Sequence, residues 1–170
     1  MTRRLLVVAA LALLAAPRLD ARDVPFLESP ESVVSAMLDL ARVTEGDTVY
    51  DLGSGDGRIV IAAAQRYGCS GVGVELDADL VARSEAAARE AGVQERVSFL
   101  RGDFFVADLR PATVVMLYLS PQVNRRLAPR LLEQLAPGTR VVSHKYGIDD
   151  WKPQRRVKVE GRALFLYVVP

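Results

Sequence analysis

The 170-residue sequence has one cysteine, Cys69, and one histidine, His144. A single cysteine excludes an internal disulfide and any multi-cysteine metal site. A single histidine excludes a His-rich zinc centre and a two-histidine relay, so no metal is expected. Lysine is almost absent, with Lys145, Lys152 and Lys158 alone, and the basic charge is carried by arginine. Neither sign of charge dominates: 22 Lys+Arg stand against 21 Asp+Glu. No single-sign field therefore points to nucleic acid or anionic lipid as a partner. Internal repeats, low-complexity tracts and an interdomain linker are all missing. Half of the residues are apolar and a quarter charged, the composition of one globular domain.

No apolar run is long enough for an ordinary membrane span of roughly 17–25 residues. The longest is Leu5 to Ala16, preceded by Arg3-Arg4 and followed by Pro17-Arg18-Leu19-Asp20-Ala21. That order matches a bacterial secretory signal or membrane-targeting segment over 1–21. Thr2-Arg3-Arg4 followed by Leu6 also faintly resembles a twin-arginine signal. Export or membrane association is the expectation, with a cytoplasmic location if the segment is not used. The stretch 22–170 can bury about 68–70% of its unfolded surface. Cys69 then reads as a packed small residue.

From Val24 onward strand and helix patterns alternate. Ser29-Pro30-Glu31 opens a helix, with Ser29 as cap and Pro30 at the first helical position. Val33, Val34, Met37, Leu38 and Ala41 form its apolar stripe. Strands are expected at Thr48–Leu52, Gly71–Glu75, Val97–Leu100, Thr113–Leu119 and Arg140–Ser143. Helices are expected at Ile59–Tyr67, at Ala78–Ala91 and after Ser120-Pro121, the last kinked or split at Pro129. A terminal hairpin, Arg156–Val159 and Ala163–Val168, closes the chain. The strands are continuously apolar and alternate with helices. This implies a mostly parallel sheet covered on both faces, with an antiparallel strand at one end.

The informative stretch is Val49-Tyr50-Asp51-Leu52-Gly53-Ser54-Gly55-Asp56-Gly57-Arg58, between a buried strand and a helix. Glycines there let the backbone turn tightly and let a ligand approach. The helix start behind them offers N–H groups to an anionic group. Glu75 ends the next strand, placed to accept hydrogen bonds from both hydroxyls of a ribose. Asp103 follows the third strand, placed to accept one from an adenine amino group, with Phe104 or Phe105 against the ring. A dinucleotide fold is the competing reading. Its G-x-G-x-x-G pattern is not met, because the glycines fall at 53, 55 and 57 and Arg58 occupies the third place. The acidic Asp51 also suits an amino-acid ammonium better than a pyrophosphate.

Val49–Arg58, Gly73-Val74-Glu75 and Gly102-Asp103-Phe104 resemble the motifs of the seven-strand (class I) S-adenosylmethionine-dependent methyltransferases. The resemblance implies a Rossmann-like, doubly wound α/β sheet of seven strands, the last one antiparallel. It implies S-adenosyl-L-methionine as cofactor, bound by Asp51, Gly53, Ser54, Gly55, Gly57, Glu75, Asp103 and Phe104. A narrower likeness is carried by Val24-Pro25-Phe26, Ser29-Pro30, Thr113 through Asn124, and Val141-Val142-Ser143-His144 through Asp150-Trp151. These resemble small protein-lysine methyltransferases, among them mitochondrial enzymes acting on the ATP synthase c subunit and the adenine nucleotide translocase, and an archaeal enzyme of broad specificity. The sequence departs from them at Lys145-Tyr146, where an acidic or aromatic pair is expected.

A protein lysine substrate follows from that likeness, and a monomer is expected. A small-molecule methyltransferase and a non-catalytic adenosyl- or nicotinamide-cofactor binding protein are the alternatives. An acceptor lysine must lose its proton, and its free pKa is about 10.4. Tyr118 and Pro121, at the end of the fourth strand, are the candidates for an aromatic and apolar channel that disfavours the ammonium. His144 is the candidate general base, and Trp151 is a core or lid residue. Nucleobase amino methylation usually shows an Asp/Asn-Pro-Pro-aromatic run here. Leu117-Tyr118-Leu119-Ser120-Pro121 lacks the leading acid or amide, so nucleic acid is not expected as acceptor.

Overall fold

A computed structural model describes residues 27–170. The signal-like segment 1–21 and the Val24-Pro25-Phe26 stretch lie outside the described residues. The elements are α1 (Glu31–Ala41), β1 (Thr48–Leu52), α2 (Arg58–Tyr67), β2 (Ser70–Glu75), α3 (Ala78–Glu90), β3 (Val97–Arg101), β4 (Val114–Leu117), α4 (Pro121–Gln134), β5 (Arg140–His144), β6 (Arg155–Val159) and β7 (Arg162–Val168). The seven strands form one sheet in the order β3-β2-β1-β4-β5-β7-β6. All pairings from β3 across to β5 are parallel, and β7 runs antiparallel to both β5 and β6. The strand order reverses between β1 and β4. In open α/β sheets the crevice beyond the strand carboxyl ends at such a reversal binds ligands.

Register decides which residues meet there. Leu52 lies opposite Val74 and Leu117, and Leu117 lies opposite Ser143. One residue further on, Gly53, Glu75, Tyr118 and His144 stand side by side across four strands. The sheet divides the core in two. α1 and α2 pack on one face against Val49, Met116, Val142 and Leu164. α4 packs on the other against Leu52, Val115, Leu117 and Tyr167. Among the described residues the β3–β4 and β5–β6 connections contain no helix. Part of the second face and the acceptor end of the sheet are thus bordered by loops alone. No helix of the described residues is long and apolar enough to cross a membrane.

Three local expectations are corrected. Ser29 does not cap α1: Pro30 holds the N-cap position without a side-chain bond, and the Ser29 hydroxyl is engaged by His144 instead. Pro129 neither splits nor ends α4, which runs continuously with the proline inside it. Pro129 is exposed, so water takes the place of the missing donor for the carbonyl one turn back. β4 is shorter than its apolar run, which frees Tyr118 and Leu119 to turn over the strand ends.

The glycine loop is held by close packing. A Cβ at Gly57 would lie 2.6 Å from Phe99 Cε1 and 2.9 Å from Ser84 Cβ, at φ +77°. Gly57→Ala combines a left-handed backbone with overpacking against a helix. It is expected to cost about 2–4 kcal/mol, read as a fall in the urea midpoint at unchanged slope.

Candidate cofactor and acceptor site

The loop after β1 is tied to β2 from both sides. Gly53 N and Ser54 N donate to Val74 O at 2.9 and 3.1 Å, and Gly57 N donates to Ser54 O at 2.9 Å. Gly55 N donates to Glu75 Oε2 at 2.9 Å. These loop N–H groups are therefore engaged within the protein: the tight turn that the glycines permit folds those of Gly53, Ser54 and Gly55 back onto β2. The other Glu75 oxygen, Oε1, accepts from Leu76 N and Asp77 N at 2.8 and 3.0 Å. Three backbone donors fix the carboxylate, and a carboxylate pair has about four acceptor sites. Glu75 thus keeps a fixed orientation at the strand edge and residual capacity for a ligand hydroxyl. A Cβ at Gly73 would meet Ser54 Oγ at 2.6 Å, so a bare backbone at 73 lets the loop lie against β2.

Asp51 is the unusual group. It is 3% exposed, and its carboxyl makes no hydrogen bond among the described residues. Burial, and then the charges of Glu75 and Asp56, push its pKa up to about 8. A buried acid in a negative neighbourhood calls for a cationic partner. Asp51 lines a narrow cleft of about 20 Å³ together with Glu28, Ser29, Ser54, Arg58 and Tyr118. Ser54 Oγ is buried there and unpartnered among the described residues.

One wall of this cleft was not foreseen. The segment 27–30 crosses its mouth as a strap. Arg58, the first residue of α2, donates through Nη1 to Ser29 O at 3.1 Å and pairs with Glu28 Oε2 at 3.1 Å. The same guanidinium grips Asp56 through Nε at 2.9 Å. The Asp56 bonds are the main reason Arg58 is held firmly protonated, with Glu28 adding to them. Burial alone would raise the Asp56 carboxyl, but Arg58 outweighs it and holds it below the usual carboxylate range. The Asp56-Gly57-Arg58 spacing was the available signal for this grip. Nothing local marks the Ser29 contact, whose partner is 115 residues away.

The remaining candidates divide. Tyr118 lines the cleft and packs on His144 with ring centroids 4.0 Å apart. His144 is the last residue of β5 and is fully buried. Burial first, then the charges of Arg162 and Lys145, push its pKa down to about 4. An imidazole that takes up a proton so reluctantly and is shut away from solvent is a poor general base, which argues against that expectation. Pro121 is the first residue of α4 behind the Ser120 cap. It is not among the residues lining the cleft. Asp103 Oδ1 accepts from Phe105 N at 2.8 Å, and the half-buried carboxylate keeps its second oxygen for another donor. Phe104 is 3% exposed and belongs to the core; only its ring edge faces the position of Gly53, at 3.9 Å from a Cβ there. Phe105 is the more open ring, and Arg126 lies over it at 3.9 Å.

These features fit S-adenosylmethionine. Asp51, without a hydrogen bond among the described residues, suits its ammonium, the anchored Glu75 its ribose hydroxyls, and the second Asp103 oxygen its adenine amino group. A solved structure of a Salinibacter ruber protein, described as an RNA methyltransferase in complex with S-adenosyl-L-homocysteine, superposes with a TM-score of 0.84. It is 52% identical, over 85% of this chain and 94% of that one. Fold, site and this relative define an S-adenosylmethionine-dependent methyltransferase of the seven-strand class. A protein-lysine N-methyltransferase of Saccharolobus islandicus is 43% identical over 86% of this chain and 94% of its own length. The mouse adenine nucleotide translocase lysine N-methyltransferase is 37% identical over 77% of this chain, which spans 57% of that longer protein. The chain belongs to the ANTKMT methyltransferase domain family, whose pattern matches residues 51–155.

Proposed function

We propose that the protein transfers the methyl group of S-adenosylmethionine to the ε-amino group of lysine in a protein substrate. The observation that carries this reading is the end of β4. Tyr118 stands there in the cleft, stacked on a neutral His144, with neither an acid nor an amide in its place. An aromatic face accommodates the alkyl stem and amine of a lysine. A nucleobase amino group would need a polar acceptor at this point. The names of the archaeal and mouse relatives support lysine as acceptor. The loop-bordered acceptor end leaves room for a folded protein to present a side chain.

The cofactor supplies a sulfonium-activated methyl group. Asp51 would hold the cofactor ammonium, Glu75 its ribose and Asp103 its adenine. Gly53, Ser54, Gly55 and Gly57 would shape the loop that receives it, with the Phe104 ring packed beside Gly53. Pro121 opens α4 just beyond Tyr118. The chain's task is alignment of the acceptor nitrogen with the methyl–sulfur bond. Arg162 and Lys145 lie near enough to His144 to lower its pKa.

Incubation of the full chain with methyl-labelled cofactor and a cell lysate tests the assignment. Label on lysine Nε of proteins is the expected result. Label confined to RNA, as the description of the Salinibacter relative suggests for that protein, or to molecules below peptide size would refute lysine as the acceptor.

A further inference from the structure

We propose that His144 is an uncharged positioning residue that couples the 27–30 strap to Tyr118, so that cofactor seating and acceptor alignment are set by one ring. The inference rests on the cofactor assignment above. Two contacts carry it. His144 Nδ1 lies 3.1 Å from Ser29 Oγ, a buried pair. The face of the same ring packs against Tyr118 at 4.0 Å between centroids, inclined by 33°. The strap is fixed on its other side by Arg58, which takes Ser29 O and Glu28 directly behind the glycine loop. Ser29, Glu28, Arg58, Asp51 and Tyr118 all line one cleft. The strap is thus held between α2, which borders the cofactor, and β5, whose last ring supports the acceptor wall.

The chemistry of the ring suits a strut. His144 is fully buried, and its Nε2 has no partner among the described residues. The charged groups that bear on it, Arg162 of β7 and the adjacent Lys145, are both cations and oppose its protonation. Its neighbours Ser29 and Tyr118 are neutral and offer no counter-charge. An imidazole kept neutral makes one geometrically demanding bond to Ser29 and presents a flat face to Tyr118, and neither contact changes across ordinary pH.

The presence of a single histidine makes the test clean. In the full chain without cofactor, the lone imidazole nitrogen signals are expected to stay those of the neutral ring from pH 5 to 8. Calorimetry with S-adenosylmethionine should show Ser29→Ala and His144→Leu each weakening binding about 5- to 10-fold, the worth of one hydrogen bond. The double variant should be no weaker than either single one, because both remove the same bond. His144→Asn, whose amide can reach Ser29, should restore most of the affinity. Its kcat should show the same dependence on pH between 6 and 8 as the unaltered protein. Additive losses in the double variant, or equal affinity in every variant, would overturn the coupling. So would a histidine that titrates near 6.5 with the rate following it. If the unaltered chain failed to bind the cofactor, the functional assignment would fall instead. Thermal melts of each variant separate these outcomes from unfolding.

Discussion

Replacing Asp51 with asparagine is expected to stabilise the cofactor-free protein and to weaken cofactor binding about 100-fold, the scale of one charge-assisted pair. The two effects share a cause. Asp51 is buried with no hydrogen bond among the described residues, Glu75 and Asp56 add negative charge, and its pKa is pushed up to about 8. Below about pH 4 the folded and unfolded chains both keep it protonated. As the pH rises the unfolded chain ionises it freely, while the folded one holds the proton until about 8. Stability of the cofactor-free fold is therefore lost progressively across that window, and Asp51→Asn should remove that share of the slope.

Binding runs the other way. A cofactor ammonium favours the carboxylate, so binding below pH 8 releases a proton and affinity climbs with pH, at most tenfold per unit. The rise should flatten near pH 8, where an α-amino group itself begins to lose its proton. Calorimetry in buffers of different ionisation enthalpy reads the released proton directly. An unchanged pH slope in Asp51→Asn would show that another group is responsible.

How much of this was legible in the sequence depends on the distance over which each feature is encoded. The strand–glycine–helix unit at 49–67 and the acid that ends β2 are short-range patterns. Turn chemistry and apolar runs announce them, and the structure places them as expected. The fate of the loop N–H groups was not legible. Whether a donor points at a ligand or folds back onto Val74 depends on a neighbouring strand. Ser29 shows the same limit. Its residue type suits a helix cap, but Pro30 takes the cap position and the Ser29 hydroxyl meets a buried histidine 115 residues away. His144 drew attention as the sole imidazole, and only its burial shows that it is a poor base. Tyr118 was placed on a strand because its run is apolar; the ladder stops at Leu117, two residues short of the run's end, and Tyr118 lines the cleft. Pro129 breaks helices in general, yet an exposed position at the surface tolerates it.

The largest effect on folding is expected at the opposite end of the sheet, from Asp47→Ala. Asp47 is 6% exposed and gathers three segments. Its Oδ2 accepts from Thr44 N at 2.8 Å and Thr44 Oγ1 at 3.1 Å. Its Oδ1 accepts from Thr113 Oγ1 at 2.7 Å, just before β4, and pairs with Arg140 Nη2 at the start of β5. Arg140 continues the link, because its Nη1 donates to Ala41 O and Arg42 O at 2.8 and 3.1 Å. Those are the last carbonyls of α1, where a cation also meets the negative end of the helix. Removing Asp47 leaves the partly buried Arg140 guanidinium without its carboxylate and the Thr113 hydroxyl without an acceptor. The expected cost is about 3–5 kcal/mol, read from urea unfolding. Arg140→Ala should cost less, because Asp47 keeps its threonine donors. Burial alone would raise the Asp47 carboxyl, but Thr113, Thr44 and Arg140 outweigh it and hold it below its usual value. Its contribution is therefore present above about pH 4 and is lost as the pH falls through the depressed pKa. The acid-unfolding transition of Asp47→Ala should be correspondingly less steep. A cost below about 1 kcal/mol, the value of an exposed pair, would show that this hub is not a fastening of the fold. Asp47 precedes β1 and Asp51 lies near its end, so the folded fraction of Asp47→Ala should bind cofactor with unaltered affinity. One strand then carries a stability determinant at its start and a binding determinant, bought at some cost in stability, at its finish.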